Sequence, residues 1–271
     1  MINGYRVIDS HCHIYPDKIA LRAAEGTGKF YEFAPAGNGT LGGLLENGTA
    51  VGIDHFVVQS VATTPHQVRR INEFIAATVA ADERLTGLGT LHPDSEDVAA
   101  DFAHLRELGL KGVKLHPDIQ GFKIDDYRCL KIYELCEQAG LPILLHTGDS
   151  RFDFSNPNRL LPVLKIYTDL TVIGAHLGGW SVWDQAETTL TELPNLHVDC
   201  SSCMPFIDHT RVRDIIRHYG AERVLFGSDY PMFLPGNELP DFLALGLTER
   251  ENRLILHDNA CRLYNINDQT Q

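Results

Sequence analysis

Asp9-Ser10-His11-Cys12-His13 sets two imidazoles two residues apart at the end of a short apolar run. Side chains alternate faces along a strand, so His11 and His13 point one way and Cys12 the other. Two imidazoles on one face can meet one metal ion. His116, His146 and His176 follow at intervals of 30 and 30 residues. Each closes a short apolar run, and Asp229 closes another at Gly227-Ser228-Asp229. Imidazole is the commonest metal ligand and a carboxylate is a frequent companion. His11, His13, His146 and Asp229 together offer three nitrogens and one oxygen. That set leaves a position for water, as catalytic zinc sites do. Singly, each residue has an ordinary reading: a lone His at a strand end is usually a core residue, and Asp229 would cap the turn before Pro231. Their conjunction points to a metal centre.

Such a constellation needs elements that bring distant strand ends together. Eight strands are expected: Arg6–Ser10, Asp54–Ser60, Leu85–Leu91, Gly112–His116, Pro142–His146, Thr171–His176, Asn195–Ser201 and Arg223–Asp229. Their apolar cores are continuous, as in parallel strands covered on both faces. Helical stretches separate them. Val98, Phe102, Leu105 and Leu108 recur at helical spacing before Gly109, and Gly140 follows Leu135 and Ala139 as a C-cap. Thirty residues is about one strand-plus-helix unit. Eight units in 271 residues suit an α/β fold of the (β/α)8 TIM-barrel type, a single domain over 1–271. In that fold catalytic groups sit at the C-terminal strand ends, where these residues fall. Residues 14–40 read as an irregular loop insertion folding over the barrel mouth.

The motifs Asp9-Ser-His11-Cys-His13, Gly112-Val-Lys-Leu-His-Pro117, Leu145-His-Thr-Gly148, Ala175-His-Leu-Gly-Gly179 and Gly227-Ser-Asp-Tyr-Pro231 resemble the amidohydrolase superfamily. The resemblance is to the amidohydrolase-related branch that also holds aminocarboxymuconate-semialdehyde decarboxylase. It spans roughly residues 7 to 266, ending in Asn259-Ala-Cys-Arg-Leu-Tyr264. It implies that His11, His13, His146 and Asp229 hold one divalent metal, zinc first and manganese second. His176 is then a catalytic histidine beside the metal, and Lys114 and His116 face the substrate. A second metal remains open, with His176 as its ligand and a carboxylated Lys114 bridging.

The chemistry expected first is hydrolysis of an amide, lactone, ester or related C–N or C–O bond by a metal-activated water. Asp229 moves the proton and His176 steadies the developing oxyanion. The alternative is non-oxidative decarboxylation, or hydration, of a small unsaturated or aromatic acid, with Asp229 or His176 as the proton donor. The residue inventory does not separate the two. Arg151 suits bidentate recognition of a substrate carboxylate, or pairs with a loop Asp. Lys18, Arg22 and Lys29 add cations after the first strand, and a small polar or anionic substrate is preferred.

The balance of 23 basic against 36 acidic residues gives a net charge of −13. No basic face for nucleic acid is expected, and any anion site must be local. No run of 18 apolar residues suggests a membrane span. Met1–Arg6 lacks the pattern of a leader, and six Cys are too sparse for a disulfide scaffold, so a cytoplasmic enzyme is expected. A homodimer is expected only because two-fold oligomers are common. Gly37-Asn-Gly39-Thr-Leu-Gly42 follows no expected strand, so it is not a dinucleotide loop. Cys200-Ser-Ser-Cys203 has no second pair for zinc. His66, His104, His209 and His218 fall on helices or loops, and His92 ends strand three at or beside the mouth.

Overall fold

Period-two alternation decides which strand residues face the axis. Leu144, Ile173 and Leu225 form an inner cluster with Ile8, Val57 and Leu88. Their neighbours Ile143, Leu145, Val172, Val224 and Phe226 pack outward into the larger core under the helices. The strands are β1 (Ile8–His13), β2 (His55–Gln59), β3 (Leu85–Gly87), β4 (Gly89–Thr90), β5 (Val113–Leu115), β6 (Ile143–Leu145), β7 (Val172–Gly174), β8 (Leu196–Asp199) and β9 (Val224–Leu225). The computed structural model describes residue 2 and residues 4–267. Met1, Asn3 and 268–271 of the expected domain lie outside the described residues.

Every paired neighbour is parallel, in the orders β1-β2-β3 and β4-β5-β6-β7-β8-β9. β3 and β4 are one stave interrupted at Leu88. There the Leu88 N–H donates to Val58 O, and the Gly89 N–H donates to Gly112 O. The ring closes where Ser10 N–H donates to Phe226 O at 2.9 Å and Asp229 N–H to His11 O at 2.8 Å. The result is a closed barrel of eight staves, the expected TIM barrel.

The helices are α1 (Asp17–Tyr31), α2 (Leu41–Ala50), α3 (Val68–Ala80), α4 (Val98–Glu107), α5 (Pro117–Gln120), α6 (Leu130–Ala139), α7 (Pro157–Ile166), α8 (Trp183–Leu190), α9 (His209–Tyr219), α10 (Pro235–Leu243), α11 (Glu249–Arg253) and α12 (Asn259–Tyr264). Ala260 and Tyr264 of α12 join the inner cluster, and Asn259 Nδ2 donates to Val224 O, so this helix plugs the end where β9 begins. None of the described helices is long and apolar enough to cross a membrane.

Residues 14–40 differ from the expected irregular loop, because 17–31 are the 15-residue helix α1. Gly26, Thr27 and Gly28 mask it, since each glycine costs a helix about 1 kcal/mol relative to Ala. Packing overrides that cost. Ala20, Ala24 and Gly28 make a small-residue stripe at i, i+4 spacing, and a Cβ on Gly28 would meet Phe33 O at 2.6 Å. Close docking of α1 carries Phe30 and Tyr31 over the strand ends.

Candidate metal centre and active-site cleft

A shift in the β1–β2 register between Asp9 and Cys12 reverses the inward parity set by Ile8. His11 and His13 therefore face the barrel mouth, and Cys12 packs outward into the core. A Cβ on Gly227 would lie 2.8 Å from His11 Cβ, so glycine lets the last strand approach this close. His176 and Asp229 both follow their strands in left-handed backbone, with φ of 59° and 61°. These are conformations an L-residue pays for and active sites often use.

Hydrogen-bond partners fix three imidazole tautomers. His11 Nδ1 faces Asp199 Oδ2 at 2.9 Å, so the proton is on Nδ1 and the Nε2 lone pair faces the site. His146 Nε2 donates to Gly148 O at 3.0 Å, which leaves Nδ1 as its lone pair. A Cβ on Gly148 would sit 2.3 Å from Trp180 N, so only glycine holds that carbonyl there. His176 Nδ1 donates to Ser201 O at 3.1 Å, leaving Nε2 bare.

Lone pairs therefore converge. His146 Nδ1 and His176 Nε2 stand 3.2 Å apart, and His11 Nε2 is 3.3 Å from His13 Nε2. Asp229 Oδ1 lies 3.4 Å and 3.7 Å from those two nitrogens. Ser202 Oγ donates to Asp229 Oδ2 at 2.7 Å, so Oδ1 is the oxygen left for the site. A donor at this cluster is the Lys114 ammonium, with Nζ 3.0 Å from His11 Nε2. Burial, with neighbouring positive charge, pushes His13 and His146 well below the usual imidazole range, and burial carries His176 down to about 4 against the opposing pull of Asp229 and Asp199. They are neutral at pH 7, which is the ligating form. A ring of acceptors with one nearby ammonium fits a bound cation.

His116 Nδ1 accepts the Ile119 N–H at 3.3 Å, so its Nε2–H donates to Tyr31 Oη at 2.7 Å. The other nitrogen near Tyr31 Oη is His146 Nε2 at 3.5 Å, whose proton is already given to Gly148 O. The Tyr31 O–H is thus free to donate into the cleft. Burial pushes this phenol well above its ordinary value, so it stays protonated.

A family model described as amidohydrolase matches residues 8–266. The chain belongs to the amidohydrolase family. A curated relative, 2-amino-3-carboxymuconate-6-semialdehyde decarboxylase of Dictyostelium discoideum, is 23% identical over 227 residues. That match covers 68% of this chain and 63% of the relative. Among solved structures, the chain is similar to 5-carboxyvanillate decarboxylase from Sphingomonas paucimobilis, with TM-score 0.75, 16% identity and 97% and 100% of the two chains covered. It is also similar to a protein from Pseudomonas putida assigned as a 2-pyrone-4,6-dicarboxylic acid hydrolase, with TM-score 0.71, 22% identity and 98% and 99% covered. At these identities the structures show the shared fold.

In this amidohydrolase the expected site residues do not all meet. His11, His13 and Asp229 form one compact donor group; His11, His176 and Asp199 form a second; His116, Asp118 and His146 form a third. His146 reaches the first group through His176, whose ring stacks on His11 at 5.3 Å. Lys114 and His116 line the cleft. Arg151 does not. Its guanidinium is held by Asp149 at 3.0 and 2.7 Å, donates to Phe30 O at 2.8 Å and lies over the Phe30 and Tyr31 rings. It ties the end of α1 to the loop after β6. His92 is bonded by the Asp94 N–H and lines neither described cavity, whereas His66 does line the cleft.

Several working groups were not legible in the sequence. Asp199 ends β8 and orients His11; burial alone would raise its carboxyl, but His11, His176 and Ser201 hold it well below the usual range. A strand-end Asp two residues before Ser201 was the available signal. Asp118 Oδ2 accepts from Ser155 and lies 3.7 Å from His146 Nε2; burial raises its carboxyl to about 6. Lys114 is fully buried, and burial lowers its ammonium to about 8 against the opposing pull of Asp229 and Asp199.

Glu238 on α10 is also buried, and its Oε2 has no partner among the described residues. Burial, with Asp241, Asp229 and Asp9 nearby, raises its carboxyl from 4.5 to about 8. The folded state therefore favours the protonated acid. That stability is complete below the unfolded value and is lost as pH rises through about 8. Glu238→Gln is expected to melt with the parent near about pH 5 and to be more stable above about pH 9, by on the order of a few kcal/mol. Thermal melts across pH check this; a Tm difference that does not change with pH would refute it.

Proposed function

We propose that this enzyme is a metal-dependent decarboxylase of an unsaturated or aromatic carboxylic acid. The observation carrying this reading is an aromatic niche beside the donor cluster. A water-sized recess of about 10 Å³ is lined by Tyr31, Phe33, Trp180 and Phe233 together with His146, His176 and Asp229. A carboxylate held at the donor cluster would have these aromatic walls beside it and room for about one water, and loss of neutral CO₂ would relieve that desolvation. The curated decarboxylase relative supports the same reading.

His11, His13, His146 and Asp229 would hold one divalent metal, zinc or manganese. When bound, it supplies Lewis acidity, a fixed positive charge facing an anionic oxygen of the substrate. Tyr31 donates its O–H to a substrate oxygen and fixes the plane of the acid. The C–C bond breaks with its electron pair remaining on the substrate carbon. The proton that replaces CO₂ comes from solvent water, is taken up by Asp229 Oδ1 or His176 Nε2, and passes from there to that carbon. Asp199 and Ser201 keep His11 and His176 oriented throughout.

Hydrolysis is the second reading, and Lys114 favours it. A buried amine 3.0 Å from a ligating nitrogen is where a carboxylated lysine would bridge a second metal. Two probes separate the readings. 5-Carboxyvanillate in deuterated water should give CO₂ and a product with one deuteron at the vacated carbon. 2-Pyrone-4,6-dicarboxylate in ¹⁸O-water should stay closed. Ring opening with ¹⁸O uptake and no CO₂ from either acid would overturn the decarboxylase reading in favour of the hydrolase.

A further inference from the structure

Above the donor cluster lies a cleft of about 830 Å³ between two helical walls. On α1 the wall residues Lys18, Ile19, Arg22, Ala23 and Thr27 fall on one helical face. The other wall presents His66 from the turn before α3 and Arg70, Ile71 and Phe74 from α3 itself. The cationic residues of the lining are Lys18, Arg22, Arg70 and Lys114, and its one carboxylate is Asp229. This is the reverse of a chain carrying 36 acidic against 23 basic residues. The neighbouring Arg69 shows the usual solution for an arginine here: it pairs with Asp101 at 2.9 Å. Arg22 and Arg70 line the cleft, and among the described residues neither is held in an ion pair. Ile19, Ala23, Phe30, Ile71 and Phe74 give the walls apolar surface among these cations, and Ile19 is left 42% exposed.

We propose that Arg22 and Arg70, with Lys18, bind a second anionic group at the far end of the substrate, so that the natural substrate is an elongated dianion with an apolar middle. This rests on the reading that its reacting carboxylate lies at the His11–His13–Asp229 cluster. A cleft this large suits a drug-sized ligand, whereas a single-ring acid would leave most of it wet. Guanidinium forks match a carboxylate or a phosphate equally well. Local positive charge inside a concave wall gathers an anion despite the net charge of the chain.

The test is calorimetric titration of the full-length, metal-loaded protein with straight-chain α,ω-dicarboxylates of about four to ten carbons. Matched monocarboxylates and ω-phosphonocarboxylates are titrated beside them. The diacid is expected to exceed its monoacid by at least about tenfold at one preferred length. In Arg22→Ala/Arg70→Ala that ratio should fall towards one. A stronger ratio for the phosphonates would identify the distal group as phosphate-like, and a stronger ratio for the diacids as a carboxylate. A diacid no better than its monoacid at every length, or a ratio unchanged in the double variant, overturns the distal site. His13→Ala separates the two ideas. If monoacid binding survives that change undiminished, the placement of the reacting carboxylate fails, whatever the arginines do.

Discussion

Removing the metal is expected to abolish turnover, and one equivalent of zinc or manganese per chain is expected to restore it. The physical reason is the meeting of acceptors. His146 Nδ1 and His176 Nε2 face each other at 3.2 Å with their protons committed elsewhere. His11 Nε2 and Asp229 Oδ1 add two more acceptors 3.4 Å apart. Lewis acidity worth several kcal/mol is a loss of about 10³-fold or more in rate when the cation leaves. Binding should also appear without any substrate. A ligand that binds only the folded chain, at about 100 times its Kd, adds about 2.7 kcal/mol, so the melting temperature should rise on metal addition. Elemental analysis of protein purified without chelator gives the count. One equivalent supports a single-metal site at this cluster, with Lys114 free for substrate. Two equivalents would move the reading to a bridged pair and to hydrolysis. No uptake with excess zinc, and no shift in melting, would leave the cluster as an organic acid–base site and sink the metal proposal.

Asp229→Asn is expected to cost about 10³-fold in kcat on any identified substrate. The amide keeps the shape and can still accept the Ser202 hydroxyl bond, which now runs to Oδ2 at 2.7 Å. What it loses is the basic Oδ1 that carries the proton. A large fall in kcat, with the melting curve retained in the metal-free protein, is the expected signature. Wild-type rates in this variant would remove Asp229 from the proton path in both chemistries.

The barrel was readable because its cause is local. Apolar runs of strand length, thirty-residue spacing and glycine helix stops are properties of neighbouring residues, and they predict eight staves. The strand ends then placed His11, His13, Lys114, His116, His146, His176 and Asp229 at one mouth, and all seven line the cleft. Helix α1 was hidden because its two internal glycines oppose a helix locally, and only docking of the Ala20–Ala24–Gly28 stripe makes the close approach favourable. Arg151 carried a signal for carboxylate binding with two readings, a substrate or a loop Asp, and the structure pairs it with Asp149, two residues away.

The sequence by itself determined the fold class and the side-chain types proposed to hold the metal, because both follow from periodicity and from the chemistry of single residues. Only the tertiary structure decided how those groups are oriented. The register shift in β1 turns His11 and His13 inward, left-handed backbone turns His176 and Asp229, and Asp199 fixes the His11 tautomer from 188 residues away. The same holds for Tyr31 and for the cationic rim. Both come from helices whose position over the mouth is set by packing between segments far apart in the chain, a relation that residue spacing does not encode.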